Sequence, residues 1–303
     1  MQGYRGAWWL PGAHAQTIYP YLFLRRASLA YRRERVETPD GDFVDFDWLD
    51  GAGPVLVLFH GLEGSSRSHY ATAILSAAAA RGWRGVVPHW RGCSGEPNRL
   101  PRAYHSGDHA EAAWMMETIR SRIGAAPAFA LGVSLGGSVL LNWLGRGGGT
   151  GLTAAATVSA PIDLPAAGAA LDRGLNRIYA RNFLKTLLPK AAAKGQCDGP
   201  IGTMREFDDL VTAPLHGFKG VDDYWSRASS KPWLKEIALP TLVLNAKNDP
   251  FVPGDSLPGP GDVGAAVTLE QPDHGGHVGF AGGAFPGRLD WLCERILGFF
   301  AGG

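Results

Sequence analysis

Residues 129–137 read FALGVSLGG, and their interpretation decides the fold. An apolar run leads into one serine, with a glycine two residues before it and two more just after. Gly132-Val133-Ser134-Leu135-Gly136 fits G-x-S-x-G, the elbow in which a serine sits on a strained strand-to-helix turn while glycines let backbones pass closely. A plain glycine-rich turn is the bland alternative. A membrane span is another, because residues 124–145 carry no charge and are long enough to cross a bilayer. Pro127, the glycines, Ser134, Ser138 and Asn142 inside that window suit strand, turn and helix better than a span.

The elbow requires a strand before the serine and a helix after it, and the surrounding chain supplies an alternation of that kind. Residues 33–50 alternate polar and apolar around Pro39-Asp40-Gly41, a hairpin signal. Residues 54–59, PVLVLF, form a continuous apolar run of the sort a strand buried on both faces shows. A helix is expected over 68–81, a strand over 83–88, a helix over 108–123, a strand over 128–133, a helix over 135–144 and a strand over 153–158. The alternation then lapses. From about Leu164 to Lys235 the chain is helical and amphipathic, with Leu171, Leu175, Ile178 and Tyr179 at helical spacing. Strands resume at 241–244 and 265–270, and a closing helix covers 287–300. This is a doubly wound, mostly parallel α/β sheet, with a core at 1–163 and 236–303 and a helical cap inserted at 164–235.

Composition narrows the function. The chain has 303 residues, 45% of them hydrophobic and 19% charged, enough for a large core. Its 29 basic and 28 acidic residues leave a formal charge of +1, which offers no field for gripping nucleic acid. Arg25, Arg26, Arg32, Arg33 and Arg35 form the one basic cluster, read as a solvated face rather than a docking site for anionic lipid. Cys93, Cys197 and Cys293 are too scattered for a zinc site or a disulfide framework, and no signal peptide is visible at the start. A cytoplasmic location is expected.

A serine hydroxyl needs a base within hydrogen-bond reach and a carboxylate to orient that base. In the elbow fold the chain order is serine, acid, histidine. Asp249 follows the strand TLVLN, and His274-Gly275-Gly276-His277 follows the last strand. Asp163 also follows a strand, but it opens the cap, so Asp249 is the preferred acid; the pattern does not choose between His274 and His277. A metal held by that pair with Asp273 is disfavoured, since glycines give no rigid ligand geometry. His105 and His109 read as a helix start, with Ser106 as N-cap and Asp108 facing the positive end of the dipole. The oxyanion donors are expected from the amide after the serine, Leu135, and from Leu62 in the loop HGLEGSS. Ser94, in GCSG, runs into a proline-containing turn and is set aside.

Taken together, HGLEGSSRSHY, WRGCSGEPNRLPRAYHSGD, GVSLGG, REFDDLVTAPLHGFKGVDDYW, PTLVLNAKNDPF, HGGHVGF and the opening PGAHAQTIYPYLFLRR resemble the YheT-type branch of the α/β-hydrolase superfamily over nearly the whole chain. The resemblance implies Ser134 as nucleophile, Asp249 as acid, His277 rather than His274 as base, and Leu62 as second oxyanion donor. It implies a serine esterase or lipase acting on acyl esters without metal or cofactor; some relatives act on acylglycerols or phospholipids, or transfer medium-chain acyl groups to ethanol. Such relatives often carry an N-terminal membrane anchor, which is not expected here. An acyltransferase using the same acyl-enzyme is the alternative, although the H-x-x-x-x-D signature of glycerolipid acyltransferases is absent. The stretch Arg205-Glu206-Phe207-Asp208-Asp209 is expected to hold a buried ion pair that shapes the cap. Leu175, Ile178, Tyr179 and Phe183 are expected either to line an acyl pocket or to pack on the core.

Overall fold

Each continuous apolar run becomes a strand buried on both faces. The computed structural model describes residues 3–197 and 199–302. Its strands are β1 (Arg32–Glu37), β2 (Phe43–Leu49), β3 (Val55–Phe59), β4 (Arg84–Pro88), β5 (Ala128–Val133), β6 (Ala154–Val158), β7 (Thr241–Leu244) and β8 (Val267–Glu270). They form one sheet in the order β1-β2-β4-β3-β5-β6-β7-β8. The β1/β2 hairpin is antiparallel and pairs antiparallel with β4, whereas β4 through β8 run parallel. Every residue of β3, β5 and β6 is buried, because helices cover both faces of the parallel part.

The helices are α1 (Ala13–Phe23), α2 (His69–Ala79), α3 (His109–Ile123) and α4 (Leu135–Gly145). In the segment between β6 and β7 lie α5 (Leu164–Leu171), α6 (Arg177–Ala193), α7 (Met204–Phe207), a π-helical turn at Asp208–Thr212, α8 (Ala213–Leu215) and α9 (Val221–Ala228); α10 (Asp290–Phe300) closes the chain. Residues from β3, β5, β6 and β7 divide between two large apolar clusters, one on each side of the sheet. Smaller clusters hold the segment between β6 and β7 together: Ala180, Leu184, Leu187 and Ala191 of α6 pack with Met204, Phe207 and Val211, and Trp225 and Tyr224 pack with Leu164.

Three local expectations change. Helix α1 is a new element. Asp108, not Ser106, caps α3, its side chain accepting the Glu111 N–H, while the Ser106 N–H donates to the Tyr224 hydroxyl. The basic cluster also divides: Arg33 and Arg35 are engaged by Asp47 and Asp45 of β2, whereas Arg25 has no ion-pair partner among the described residues. No helix of the described residues is long and apolar enough to cross a membrane.

Candidate active site

Ser134 ends β5 and begins α4, and its backbone lies at φ 53° and ψ −123°. An L-residue held there stores on the order of 1–3 kcal/mol, which only a tightly determined surrounding sustains. The flanking glycines explain how the chain accommodates it. A Cβ on Gly132 would stand 2.6 Å from the Gly136 carbonyl oxygen, and a Cβ on Gly136 would stand 2.6 Å from the His60 carbonyl oxygen. Only hydrogen at both positions lets β3, β5 and α4 approach this closely while the serine is thrust outward. The Ser134 N–H donates to the Val158 carbonyl at 2.9 Å, fixing the turn to β6.

His277, on the loop after β8, places Nε2 2.9 Å from Ser134 Oγ and Nδ1 2.8 Å from Asp249 Oδ2. Asp249 is buried in the loop after β7, and its other oxygen accepts the Phe251 and Val252 N–H groups at 2.8 and 3.2 Å. With both carboxylate oxygens engaged, Asp249 cannot swing away. It accepts the Nδ1 proton, so the Nε2 lone pair faces the serine hydroxyl. His274 is exposed and stands outside this arrangement, and Asp273 pairs with Lys247 at the surface. Asp163 caps α5 by accepting the Ala166 N–H. No group of metal-ligating side chains occurs among the described residues.

The histidine loop is held from a part of the chain that sequence reasoning left without a role. Gln16 Oε1 accepts the Gly275 N–H and an Asn248 side-chain N–H, each at 2.9 Å. Thr17 Oγ1 accepts the His277 N–H at 2.9 Å, and Ser159 Oγ accepts the Val278 N–H at 3.0 Å. The signal was the pair of polar residues in AHAQTIYP, both buried in α1.

Leu62 and Leu135 flank the serine, and both line the same cavity. Leu135 is the first residue of α4, so its N–H has no carbonyl one turn back to bond. In the loop after β3, the Gly61 N–H donates to the Tyr70 hydroxyl, the Glu63 N–H to the Tyr104 hydroxyl and the Gly64 N–H to the Gly61 carbonyl. Between them, the Leu62 N–H has no hydrogen-bond partner among the described residues. Glu63 sits at φ 53°, and its carboxylate accepts from both the Tyr104 hydroxyl (2.9 Å) and Lys190 of α6 (2.8 Å). Burial pushes the Tyr104 hydroxyl well above its ordinary pKa, so it remains a donor. Burial lowers His60 to about 3; its Nδ1–H donates to the Gly61 carbonyl and its Nε2 accepts the Trp90 N–H, a neutral wedge beneath the loop.

Over nearly its whole length the chain is similar to YheT of Escherichia coli (strain K12), an esterase by name: the two are 43% identical over 93% of this chain and 88% of that one. This chain is a YheT-type α/β hydrolase. The sequence profile of the alpha/beta hydrolase fold matches residues 54–196. A human phospholipase, ABHD3, is 31% identical over 95% of this chain and 76% of its own, and a Saccharomyces cerevisiae monoacylglycerol lipase is 30% identical over 82% and 59%. An esterase of Pyrococcus furiosus shares the fold at a TM-score of 0.61 and 16% identity, over 90% of this chain and 91% of that one. The hydrolase is thus of the esterase and lipase type, a carboxylic ester hydrolase.

Between the sheet edge and the helices that follow β6, the hydrolase encloses a cavity of about 570 Å³ reaching Ser134 and His277. Its apolar wall includes Leu164, Leu171, Phe183, Leu187, Phe207 and Phe251. Of the four side chains expected either to line a pocket or to pack on the core, only Phe183 lines this cavity. Leu175 and Ile178 are 65% and 62% exposed, neither lining the cavity nor packing on the core, and Tyr179 packs on Phe251 with ring centroids 4.7 Å apart. The expected buried ion pair in residues 205–209 is also absent. Arg205 pairs with Asp222 at the surface, and Glu206 closes a capping box with Thr203. Asp208 instead turns inward, accepting from Trp225 Nε1 and Thr212 Oγ1 at 2.8 Å each, and burial raises its pKa to about 6.

Proposed function

We propose that this hydrolase cleaves carboxylic esters of apolar, medium-length acyl groups through an acyl-enzyme on Ser134. The observation carrying this reading is the unbroken relay Ser134 Oγ, His277 Nε2, His277 Nδ1, Asp249 Oδ2, with steps of 2.9 and 2.8 Å, at the wall of an apolar cavity. In acylation, Ser134 Oγ attacks the ester carbonyl carbon as its proton passes to His277 Nε2. The carbonyl oxygen takes the negative charge and accepts the Leu62 and Leu135 N–H groups. Collapse expels the alcohol, which takes the proton from His277. Water then attacks the acyl-enzyme, giving its proton to the same nitrogen, and His277 returns that proton to Ser134 Oγ as the acid departs. Asp249 holds the Nδ1 proton throughout and steadies the imidazolium.

Residues 164–235 act as the cap of a core formed by 1–163 and 236–303, and the wall they contribute receives the acyl chain. Each methylene buried there adds about 0.8 kcal/mol, so a few carbons shift selectivity by tens-fold. The free cysteines Cys93, Cys197 and Cys293 suit a reducing, cytoplasmic setting. The test is a p-nitrophenyl ester series from acetyl to hexadecanoyl. The expected kcat/KM rises with chain length and falls once the cavity is filled, and Ser134→Ala removes turnover on every ester. A flat profile overturns the acyl-pocket reading, and undiminished hydrolysis by Ser134→Ala overturns the nucleophile.

A further inference from the structure

Charge is unevenly distributed along this chain. Residues 3–31 contain Arg5, Arg25 and Arg26 and no acid; residues 173–197 contain Arg173, Arg177, Arg181, Lys185, Lys190 and Lys194 and no acid. These two segments hold nine positive charges, so the chain's net +1 leaves −8 for everything else. Lys190 turns inward to Glu63. Arg173, Arg177, Arg181 and Lys185 are exposed, and none has an ion-pair partner among the described residues; the same holds for Arg25. Most other arginines of the molecule are paired with carboxylates, as Arg33, Arg35, Arg91 and Arg102 are.

The same two segments carry most of the large apolar side chains left in solvent. On α1 these are Ile18, Tyr21, Leu22 and Phe23, the last 66% exposed; Leu175 just before α6 and Ile178 at its start are the others. The segments meet where His14 Nδ1 lies 3.0 Å from the Tyr179 hydroxyl, with the two rings stacked. Ile18 is one turn beyond His14, and Ile178 adjoins Tyr179. Exposed Phe285 flanks α1 through Trp9 and Tyr19. From the seam, a chain of rings runs inward: Tyr179 to Phe251 at 4.7 Å and Phe251 to His277 at 4.2 Å. Tyr179 at the seam is therefore linked to His277 through one intervening ring, that of Phe251.

We infer that the face formed by α1 and the first turns of α6 docks on an anionic lipid surface. Its aliphatic and aromatic side chains enter the headgroup boundary while the unpaired arginines and Lys185 meet lipid phosphates. A two-fold contact between copies is the poorer fit, because it sets each copy's cations against the same cations of the other. Docking would hold the outer end of the ring chain against the lipid. That placement rests on the proposed role of His277, whereas docking itself does not.

The test is flotation of the full chain with vesicles of phosphatidylcholine alone and with roughly 30% phosphatidylglycerol. Binding to the anionic vesicles is expected to be at least about tenfold stronger and to weaken in high salt. The Leu22→Ser/Phe23→Ser variant should lose about tenfold in binding. Arg177→Ala/Arg181→Ala should lose the preference for anionic vesicles. Both should hydrolyse a water-soluble acetyl ester at the parental rate, which shows that they fold. The inference is overturned by equal or absent binding to the two vesicles, by unaltered binding of both variants, or by a parent dimer that Leu22→Ser/Phe23→Ser converts to monomer. If ester hydrolysis fails in the parent while vesicle binding follows the expected pattern, the reading of His277 falls and the docking face stands.

Discussion

Around Ser134 the proposed relay and oxyanion groups each follow the C-terminal end of a parallel strand: Leu62 after β3, Ser134 after β5, Asp249 after β7 and His277 after β8. In residues 164–235, by contrast, the side chains facing the cavity come from helices whose orientation no strand dictates. At the sheet edge, local backbone constraint decides where a side chain points, and such constraint is visible in a sequence as glycines at fixed offsets and apolar runs of strand length. In the helical segment, facing is decided by which neighbour each helix meets. The stripe Leu171, Leu175, Ile178 and Tyr179 shows the consequence. It runs across a break, since α5 ends at Leu171, Gly174 sits at φ 51° and α6 begins only at Arg177. The inward stripe of α6 is Ala180, Leu184, Leu187 and Ala191, spaced four, three and four apart.

The contrast implies that damage at the sheet edge should abolish chemistry, whereas damage in the helical segment should redirect or retune it. The largest effect is expected for His277→Ala, a loss on the order of a million-fold in kcat, against little change for His274→Ala. Steady-state kinetics on one activated ester separates them, and the reverse ranking would break the comparison at its strongest point.

Tyr104→Phe is expected to lower kcat about tenfold with KM nearly unchanged, since oxyanion contacts act chiefly in the transition state. The hydroxyl accepts the Glu63 N–H and donates to the Glu63 carboxylate, so its removal frees the residue beside Leu62. An equal rise in KM at constant kcat would instead make Tyr104 part of the substrate wall.

Within the helical segment, Leu187→Phe should move the chain-length maximum toward shorter acyl groups, changing selectivity between neighbouring esters by several-fold to tens-fold. Leu175→Trp, at an exposed position, should leave the profile unchanged. Equal shifts in both variants would remove the distinction between the inward stripe and the outward one.

A separate effect falls on stability rather than on turnover. Asp208 has a folded-state pKa of about 6, above the ordinary carboxyl value, so the folded protein holds this proton more tightly than the unfolded chain does. Its contribution is fully present below about pH 4 and is lost as pH rises through about 6, by up to about 3 kcal/mol. Asp208→Asn can still accept from Trp225 while the Thr212 hydroxyl rotates to accept from the amide. Thermal unfolding from pH 4 to 8 should therefore show the variant gaining on the parent as pH rises; a constant difference would mean that Asp208 is not held protonated by burial.

The strand alternation, Ser134, Asp249 and the loop carrying Leu62 were legible because each is written within a few residues of its strand. The choice between His274 and His277 was not written in the local pattern and came only from the family resemblance, because the histidine loop is held by Gln16 and Thr17, which reach it from the other end of the chain. Helix α1 was hidden for a related reason. It contains Pro20, and its buried residues are Gln16, Thr17 and Pro20, so no apolar stripe announces it.

Covalent labelling with a fluorophosphonate tests the role of Ser134 most directly. A single adduct is expected, located on Ser134 by peptide mass mapping, absent in Ser134→Ala, and formed far more slowly in His277→Ala than in His274→Ala. An adduct on Ser94 or another serine, or continued ester hydrolysis by a fully folded protein that takes up no label, would contradict it.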